Sequence, residues 1–149
     1  MCQPGIPIMK TLSFLTHQEI FDKAARHLFS EANTGARPTG SRTYRESCGG
    51  CPIGNLIAPS DYRISMGSIP VLFIGAAARV APSYMDAGIT ALKRALLRSR
   101  INVYNPSTIE LLVCLQNVHH VNDKWEWRDG LGSIAQQFGL CADLLEHAA

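Results

Sequence analysis

The stretch that decides the fold runs Asn105-Pro106-Ser107-Thr108-Ile109-Glu110-Leu111-Leu112-Val113-Cys114-Leu115-Gln116-Asn117-Val118-His119-His120. Asn105 is a good N-cap and Pro106 suits the first position of a helix, so the stretch predicts a helix. Its apolar side chains sweep more than half of the circumference, and the remaining side holds only Glu110, Cys114 and Asn117. Such a helix is covered by neighbours on several faces, so we expect it at the centre of the molecule.

Capping signals and apolar spacing predict further helices along the chain. Thr16 and Glu19 form a capping box ahead of an amphipathic segment. Gly139, followed by Leu140, is typical of a helix end. The secondary structure of residues 69–81 is left undecided, because a short apolar run fits a buried strand and a buried helix equally well. The helices are predicted at about residues 17–31, 52–58, 83–100, 105–120, 127–138 and 141–147.

These segments predict a mainly α fold of five or six helices in one compact domain over residues 12–149. With 149 residues the chain is long enough to bury one core and short enough to need no second domain. Residues 1–11 contain two prolines and a glycine without any apolar period, and we expect a flexible arm there. Tyr44 and Arg45 allow a short strand, so a small β-hairpin near residues 42–50 is kept open.

Composition excludes some classes of protein. Hydrophobic residues make up 46% of the chain and charged residues 17%, as in ordinary globular domains. A net charge of +2 is too small for a nucleic-acid footprint over the whole surface. The longest apolar run, Val71 to Ala78, is far shorter than the roughly 20 residues of a membrane span. The N-terminus lacks a signal-peptide pattern and the five cysteines are odd in number, so reduced thiols and a cytoplasmic location are expected.

Cys48 and Cys51 form a C-x-x-C motif, which can bind a metal ion or form a redox pair. A zinc site needs four ligands, and one of His119 and His120 together with Cys114 or Cys141 could complete it. His119 and His120 point about 100° apart on a helix, so they do not easily serve together. The simpler interpretation is a tight glycine turn in which Cys51 is a small buried residue.

A second chemical interpretation makes Cys51 a nucleophile and His119 its general base. Such a site also needs an orienting group and an oxyanion hole, which a sequence does not show. The simpler interpretation of His119 is a core histidine that shares a hydrogen bond with a backbone carbonyl or an acidic side chain. Catalysis is therefore not favoured, and the Cys51 and His119 pair is kept as the alternative.

Two kinds of surface are candidates for binding. Arg94 and Arg98 belong to a basic cluster that could contact phosphates, but no recognition-helix pattern accompanies it, and a solvated helix face explains it more simply. Nucleic acid is therefore not favoured as a partner. An exposed apolar patch, either within residues 71–78 or at Trp125 and Trp127, would instead indicate a protein interface.

A series of short motifs is spread over residues 16–140. It consists of Tyr44-Arg45, Cys51-Pro52-Ile53-Gly54-Asn55-Leu56-Ile57, Tyr62, Met66-Gly67, Leu112, Leu115-Gln116, His119, Trp127, Ile134-Ala135 and Phe138-Gly139-Leu140. The series resembles small uncharacterised bacterial and phage proteins, in which a Tyr-Arg pair precedes C-x-I-G-x-L-I and a later L-Q-x-x-H-D. The resemblance implies a mainly helical, cytoplasmic protein of prophage or accessory-genome origin, with no activity to carry over. His120 replaces the aspartate of that pattern, which argues against a His-Asp pairing.

The preferred interpretation is a non-catalytic accessory or regulatory protein that binds an unknown protein partner, without a cofactor and without a membrane. It is favoured because the sequence shows no complete catalytic constellation, phosphate loop or set of four metal ligands. The alternative is a thiol- or zinc-dependent site built on Cys51 and His119. The sequence leaves the oligomeric state open.

Overall fold

The computed structural model describes residues 13–33, 52–66, 69–75, 79–121 and 126–146. Within these ranges the chain is helical and contains no strand, so the mainly α prediction is confirmed. The predicted arm at residues 1–11 and the predicted hairpin near residues 42–50 lie outside the described residues. The α-helices are α1 (His17–Asn33), α2 (Pro52–Leu56), α3 (Asp86–Arg98), α4 (Pro106–Val121), α5 (Trp127–Phe138) and α6 (Asp143–Glu146). Short 3-10 turns lie between them at Pro59–Asp61, Ile64–Met66, Val71–Ile74 and Ser83–Met85.

Helix α1 starts at the predicted capping box. The Thr16 N–H donates to Oε1 of Glu19 at 2.9 Å, and the Glu19 N–H donates to Oγ1 of Thr16 at 3.1 Å. Two donors that the first helical turn leaves without intrahelical partners are thereby satisfied. The apolar face of the helix is fully buried and consists of Ile20, Phe21, Ala24, Ala25 and Leu28.

Helix α4 is the central helix, as predicted. Asn105 caps it, because its Oδ1 accepts a hydrogen bond from the Ser107 N–H at 2.9 Å. The helix packs against α1, α2, α5 and the turn at Val71–Ile74. Glu110 and Asn117 are exposed and Cys114 is half-buried, so the side of α4 that the sequence predicts to be open does reach solvent.

Helix α5 ends in a Schellman motif at Gly139. Gly139 has the left-handed φ of 65°, which a glycine adopts without steric cost. The Leu140 N–H donates to the Ala135 carbonyl at 2.7 Å, and the Gly139 N–H donates to the Gln136 carbonyl at 3.3 Å. These bonds satisfy two of the last carbonyl groups of the helix, and the predicted helix end is confirmed.

Of the two structures that the sequence allowed for this stretch, the described residues 69–75 form a short helical one, a 3-10 turn, and not a strand. Pro70 precedes a 3-10 turn at Val71–Ile74, and Gly75 ends it. The Val71 N–H donates to the buried Oε1 of Gln116 on α4 at 3.2 Å. Gly75 lies so close to α4 that a Cβ atom there would be 2.8 Å from Cγ2 of Ile109. The 3-10 turn at Val71–Ile74 is therefore accompanied by contacts with α4, which is distant from it in the sequence.

Helix α3 packs on the turns rather than on the other long helices. Its main neighbours are the turns at Ile64–Met66, Val71–Ile74 and Ser83–Met85. Its buried residues are Gly88, Leu92, Ala95 and Leu96. A Cβ atom on Gly88 would lie 2.3 Å from the Ser65 carbonyl oxygen, so only glycine fits at this crossing. The described helices include none that is long and apolar enough to cross a membrane.

Candidate functional site

His119 lies in the core rather than at an open site. The side chain is 2% exposed, and its ring centroid is 5.7 Å from that of Trp127, with the two rings tilted by 34°. No described residue makes a hydrogen bond to its buried Nδ1. The ring packs against Trp127 between α4 and α5, where bulk water does not reach it.

The chemical hypotheses for His119 depend on residues outside the described ranges. Cys48 and Cys51 are both outside them, so the structure does not test the zinc site or the Cys51 and His119 pair. Within the described part of the chain, no three His, Cys, Asp or Glu side chains converge as metal ligands do. Both hypotheses stay predictions.

The two later cysteines differ in chemical state. Cys114 is a free, half-buried thiol, and burial raises its pKa above the ordinary value, with a further increase from the Glu110 carboxylate. Cys141 is disulfide-bonded, and its partner cysteine lies outside the described residues. The prediction of reduced thiols throughout is therefore wrong at Cys141. A protonated thiol and a disulfide sulfur are both poor metal ligands in these states.

Gln18 holds the backbone of Cys141 in place. Its Oε1 accepts a hydrogen bond from the Cys141 N–H at 2.7 Å, and its Nε2 donates to the Cys141 carbonyl at 3.0 Å. The same Nε2 lies 2.9 Å from Oδ1 of Asp22. The start of α1 and the link between α5 and α6 are therefore joined by a two-point amide contact next to the disulfide.

The expected apolar patch at the tryptophans is wrong for Trp127. This side chain is fully buried and packs in the core, so it offers no surface to a partner. Trp125 lies outside the described residues. In the other expected patch, Leu72 is 46% exposed while Val71 and Ile74 are buried, and residues 76–78 lie outside the described ranges.

Arg94 and Arg98 lie on the exposed face of α3. Ala87, Thr90, Arg94 and Arg98 are all exposed and follow one another at intervals of three or four residues, so they form one stripe along the helix. Arg98 donates to Oδ1 of Asp61 at 3.3 Å, yet its side chain remains 65% exposed. Arg94 forms no ion pair with any described residue.

Two exposed tyrosines lie close to α3. Tyr84 is 80% exposed and lies in the 3-10 turn directly before α3. Tyr104 is 68% exposed, and Nζ of Lys93 lies 5.0 Å from its ring centroid, which places Tyr104 beside the helix. The sequence did not single out either tyrosine, because neither belongs to the apolar stripe of α3 or to its basic cluster. We define the α3 surface as Tyr84, Thr90, Arg94, Arg98 and Tyr104.

Comparison with known proteins adds nothing to the assignment of the α3 surface. The resemblance described from the sequence therefore stays a prediction. No family model matches the chain, and no curated protein or solved structure matches it either.

Proposed function

We propose that this protein acts by binding another protein through the α3 surface, and that it is not a catalyst. One observation carries the proposal: two highly exposed tyrosines flank a helix face that presents two exposed arginines. Tyrosine and arginine are the side chains that interfaces and their energetic hot spots favour. The rest of the large apolar side chains in the described ranges are mostly buried.

The charges around α3 favour an acidic protein partner. Residues 79–104 carry five cations and one carboxylate, Asp86. Arg79 and Arg94 form no ion pair with any described residue, so they can offer their charge to a partner. Opposite charges across an interface increase the association rate and exclude partners of the wrong sign.

Nucleic acid fits the same cations less well. Residues 79–104 contain five cations. This is fewer than the roughly 6 to 10 phosphate contacts of a protein that binds duplex DNA strongly through its phosphates. The exposed Val80, close in sequence to Tyr84, also suits an apolar protein contact better than a phosphate backbone.

A photocrosslinking experiment tests this proposal. A benzophenone amino acid replaces Tyr84 in one variant and the exposed Lys23 of α1 in a control variant, and both are expressed in the cells that naturally produce the protein. We expect a discrete covalent adduct from position 84 only. Adding Arg94→Glu to the position-84 variant should remove the adduct, and Cys51→Ser should leave it if the fold survives.

The outcomes separate binding from the chemical alternative. Equal adducts from positions 84 and 23, or none from either, would overturn the α3 surface as a binding site. If the adduct vanishes in Cys51→Ser while circular dichroism shows a folded protein, the thiol or zinc alternative replaces the proposal. Mass spectrometry of the adduct identifies whether the captured protein is a different chain or a second copy.

A further inference from the structure

A carboxylate from outside the helix reaches the α3 surface. Asp61 belongs to the 3-10 turn at Pro59–Asp61, and its Oδ1 accepts a hydrogen bond from Nη1 of Arg98 at 3.3 Å. The ion pair is a single-point contact, in which the Asp61 side chain is 17% exposed and the Arg98 side chain is 65% exposed. Asp61 therefore places a negative charge at one of the two arginines that the proposed function assigns to partner binding.

The turn that carries Asp61 is fixed by contacts that do not involve its carboxylate. The Asp61 N–H donates to the Ala58 carbonyl at 2.9 Å. Nη1 of Arg63 donates to the carbonyls of Ser60 and Tyr62 at 3.1 Å and 2.9 Å. The next 3-10 turn in the sequence packs against α3. The backbone of the turn therefore positions the carboxylate, and its charge can be removed without removing these contacts.

We expect the ion pair to contribute little to stability. Exposed ion pairs are screened by water, and their attraction is offset by the entropy lost when two side chains are ordered. Arg98 lies in the last turn of α3, where the helix macrodipole favours a cation and disfavours a carboxylate such as that of Asp61. The helix end therefore favours Arg98 even without Asp61, and the main effect of the carboxylate is on the charge that the α3 surface presents.

We infer that Asp61 competes with the acidic partner for Arg98 and so determines how much negative charge the partner must carry. The inference rests on the proposed function, because it concerns the regulation of the same surface. Arg94, one turn earlier on the same exposed stripe, forms no ion pair with a described residue. A partner with a single carboxylate contacts Arg94 and is repelled by Asp61, whereas a partner with neighbouring carboxylates contacts Arg94 and also displaces Asp61 from Arg98. Weakly acidic partners are thereby excluded through repulsion.

Binding of an acidic probe tests the competition directly. The probe is fluorescein-labelled decaglutamate, and its fluorescence anisotropy is measured with the purified full chain at about 0.15 M salt, where the Debye length is about 8 Å. Asp61→Asn removes the charge and nearly keeps the shape of the side chain. It should bind the probe about threefold more tightly, because an ion pair of ordinary surface strength no longer opposes binding. The midpoint of its urea denaturation should stay that of the unaltered chain.

Asp129→Asn is the matched control. Asp129 is an exposed carboxylate of α5, and the main contacts of α5 are with elements other than α3. The variant changes the net charge of the chain by the same amount and should bind the probe like the unaltered chain. A double-mutant cycle adds Arg98→Gln, and in that background Asp61→Asn should tighten binding no more than Asp129→Asn does.

The inference is overturned if Asp61→Asn binds the probe no more tightly than the unaltered chain, or if neither binds it. Weaker binding by Asp61→Asn would make Asp61 a residue that positions Arg98 rather than a competitor. An equal gain in Asp129→Asn, or a gain that persists with Arg98→Gln, would likewise overturn it.

Photocrosslinking separates the failure of this inference from the failure of the proposed function. An adduct at position 84 that Arg94→Glu removes, and that Asp61→Asn does not increase, would overturn the competition and leave the proposed function standing. If position 84 forms no adduct while the probe results are as expected, the protein partner is overturned and the competition of Asp61 for Arg98 stands.

Discussion

Helix α4 is buried over most of its circumference, whereas helix α3 keeps one whole face open to solvent. Both helices were predicted from apolar spacing. They differ in how much of the helix circumference the apolar residues occupy. Leu111, Leu112 and Leu115 of α4 are fully buried, with neighbours on several sides. In α3 only a narrow stripe around Leu92 and Leu96 is buried.

The difference suggests that stability and binding are carried by different helices. Removing side chains around α4 removes packing from several elements at once, because α1, α2, α5 and the turn at Val71–Ile74 all contact it. Changes on the outer face of α3 leave that packing intact. Substitutions at buried positions should therefore lower the free energy of unfolding, whereas matched substitutions at exposed positions should not.

The largest expected difference is between two aromatic residues. Trp127→Ala should lower the free energy of unfolding by about 3–5 kcal/mol, because the fully buried ring packs against His119 on α4 and its removal leaves a cavity. Tyr84→Ala should change it by no more than about 0.5 kcal/mol, because the side chain is 80% exposed. Urea denaturation measures both values. Similar losses in the two variants would contradict the separation of stability from the α3 surface.

The inner side of α3 should be much less tolerant than its outer face. Gly88→Ala should cost about 2–3 kcal/mol, because the new Cβ would lie 2.3 Å from the Ser65 carbonyl oxygen and the backbone would have to shift. Gly132→Ala is the control. Its Cβ would meet only Leu145 at 3.9 Å, so the higher helix propensity of alanine should stabilise α5 by up to about 1 kcal/mol. Thermal or urea unfolding should show changes of opposite sign in the free energy of unfolding for the two variants. A Gly88→Ala variant as stable as the unaltered chain would show that α3 is packed less tightly against Ser65 than the structure indicates.

The polar link between α4 and the preceding turn should have an intermediate effect. Gln116→Leu removes the Oε1 that accepts a hydrogen bond from the Val71 N–H at 3.2 Å. The Val71 N–H is then buried without an acceptor, which should lower the free energy of unfolding by about 1–2 kcal/mol. Asn117→Ala, one residue further along α4 but exposed, should be within about 0.5 kcal/mol of the unaltered chain. Hydrogen exchange should show faster opening of the Val71 amide in Gln116→Leu only. Unchanged protection of that amide would mean that the turn does not depend on α4.

The parts of the fold that could be predicted from the sequence are those with local causes. The capping box of Thr16 and Glu19 satisfies backbone donors at the start of α1. At the start of α4, Asn105 accepts a hydrogen bond from a backbone N–H, and Pro106 has no N–H to satisfy. Each of these patterns lies within four residues of sequence. Gly139 is equally local, because only the chain around it determines the left-handed turn. The exposed positions of Arg94 and Arg98 also follow from the period of α3 alone.

The parts that could not be predicted depend on contacts distant in sequence. The turn at Val71–Ile74 is accompanied by a hydrogen bond to Gln116, which lies 45 positions away along the chain. Trp127 begins an apolar stripe, but its complete burial depends on where α4 lies. Tyr84 lies in a 3-10 turn before α3, and Tyr104 lies in a turn after it. The disulfide at Cys141 depends on chain proximity, which cysteine spacing alone does not reveal.

The smallest expected effect concerns Cys114, which is half-buried between the exposed Glu110 and Asn117 of α4. Burial and Glu110 both raise the pKa of this thiol, so at a given pH less of it is thiolate and alkylation by iodoacetamide is slower than for an exposed cysteine. Glu110→Gln removes the weaker of the two causes, so its alkylation profile should move to lower pH while staying above that of an unfolded peptide. Glu146→Gln removes an equal charge that is not a cause of the shift and should leave the profile in place.

Because the folded-state pKa is raised, the contribution of this thiol to stability is present below the unfolded-state pKa and is lost as the pH rises through the folded-state value. Mass spectrometry of the Cys114 peptide gives the rates, and a profile that Glu110→Gln leaves unmoved would show that the open side of α4 is solvated enough to screen the carboxylate.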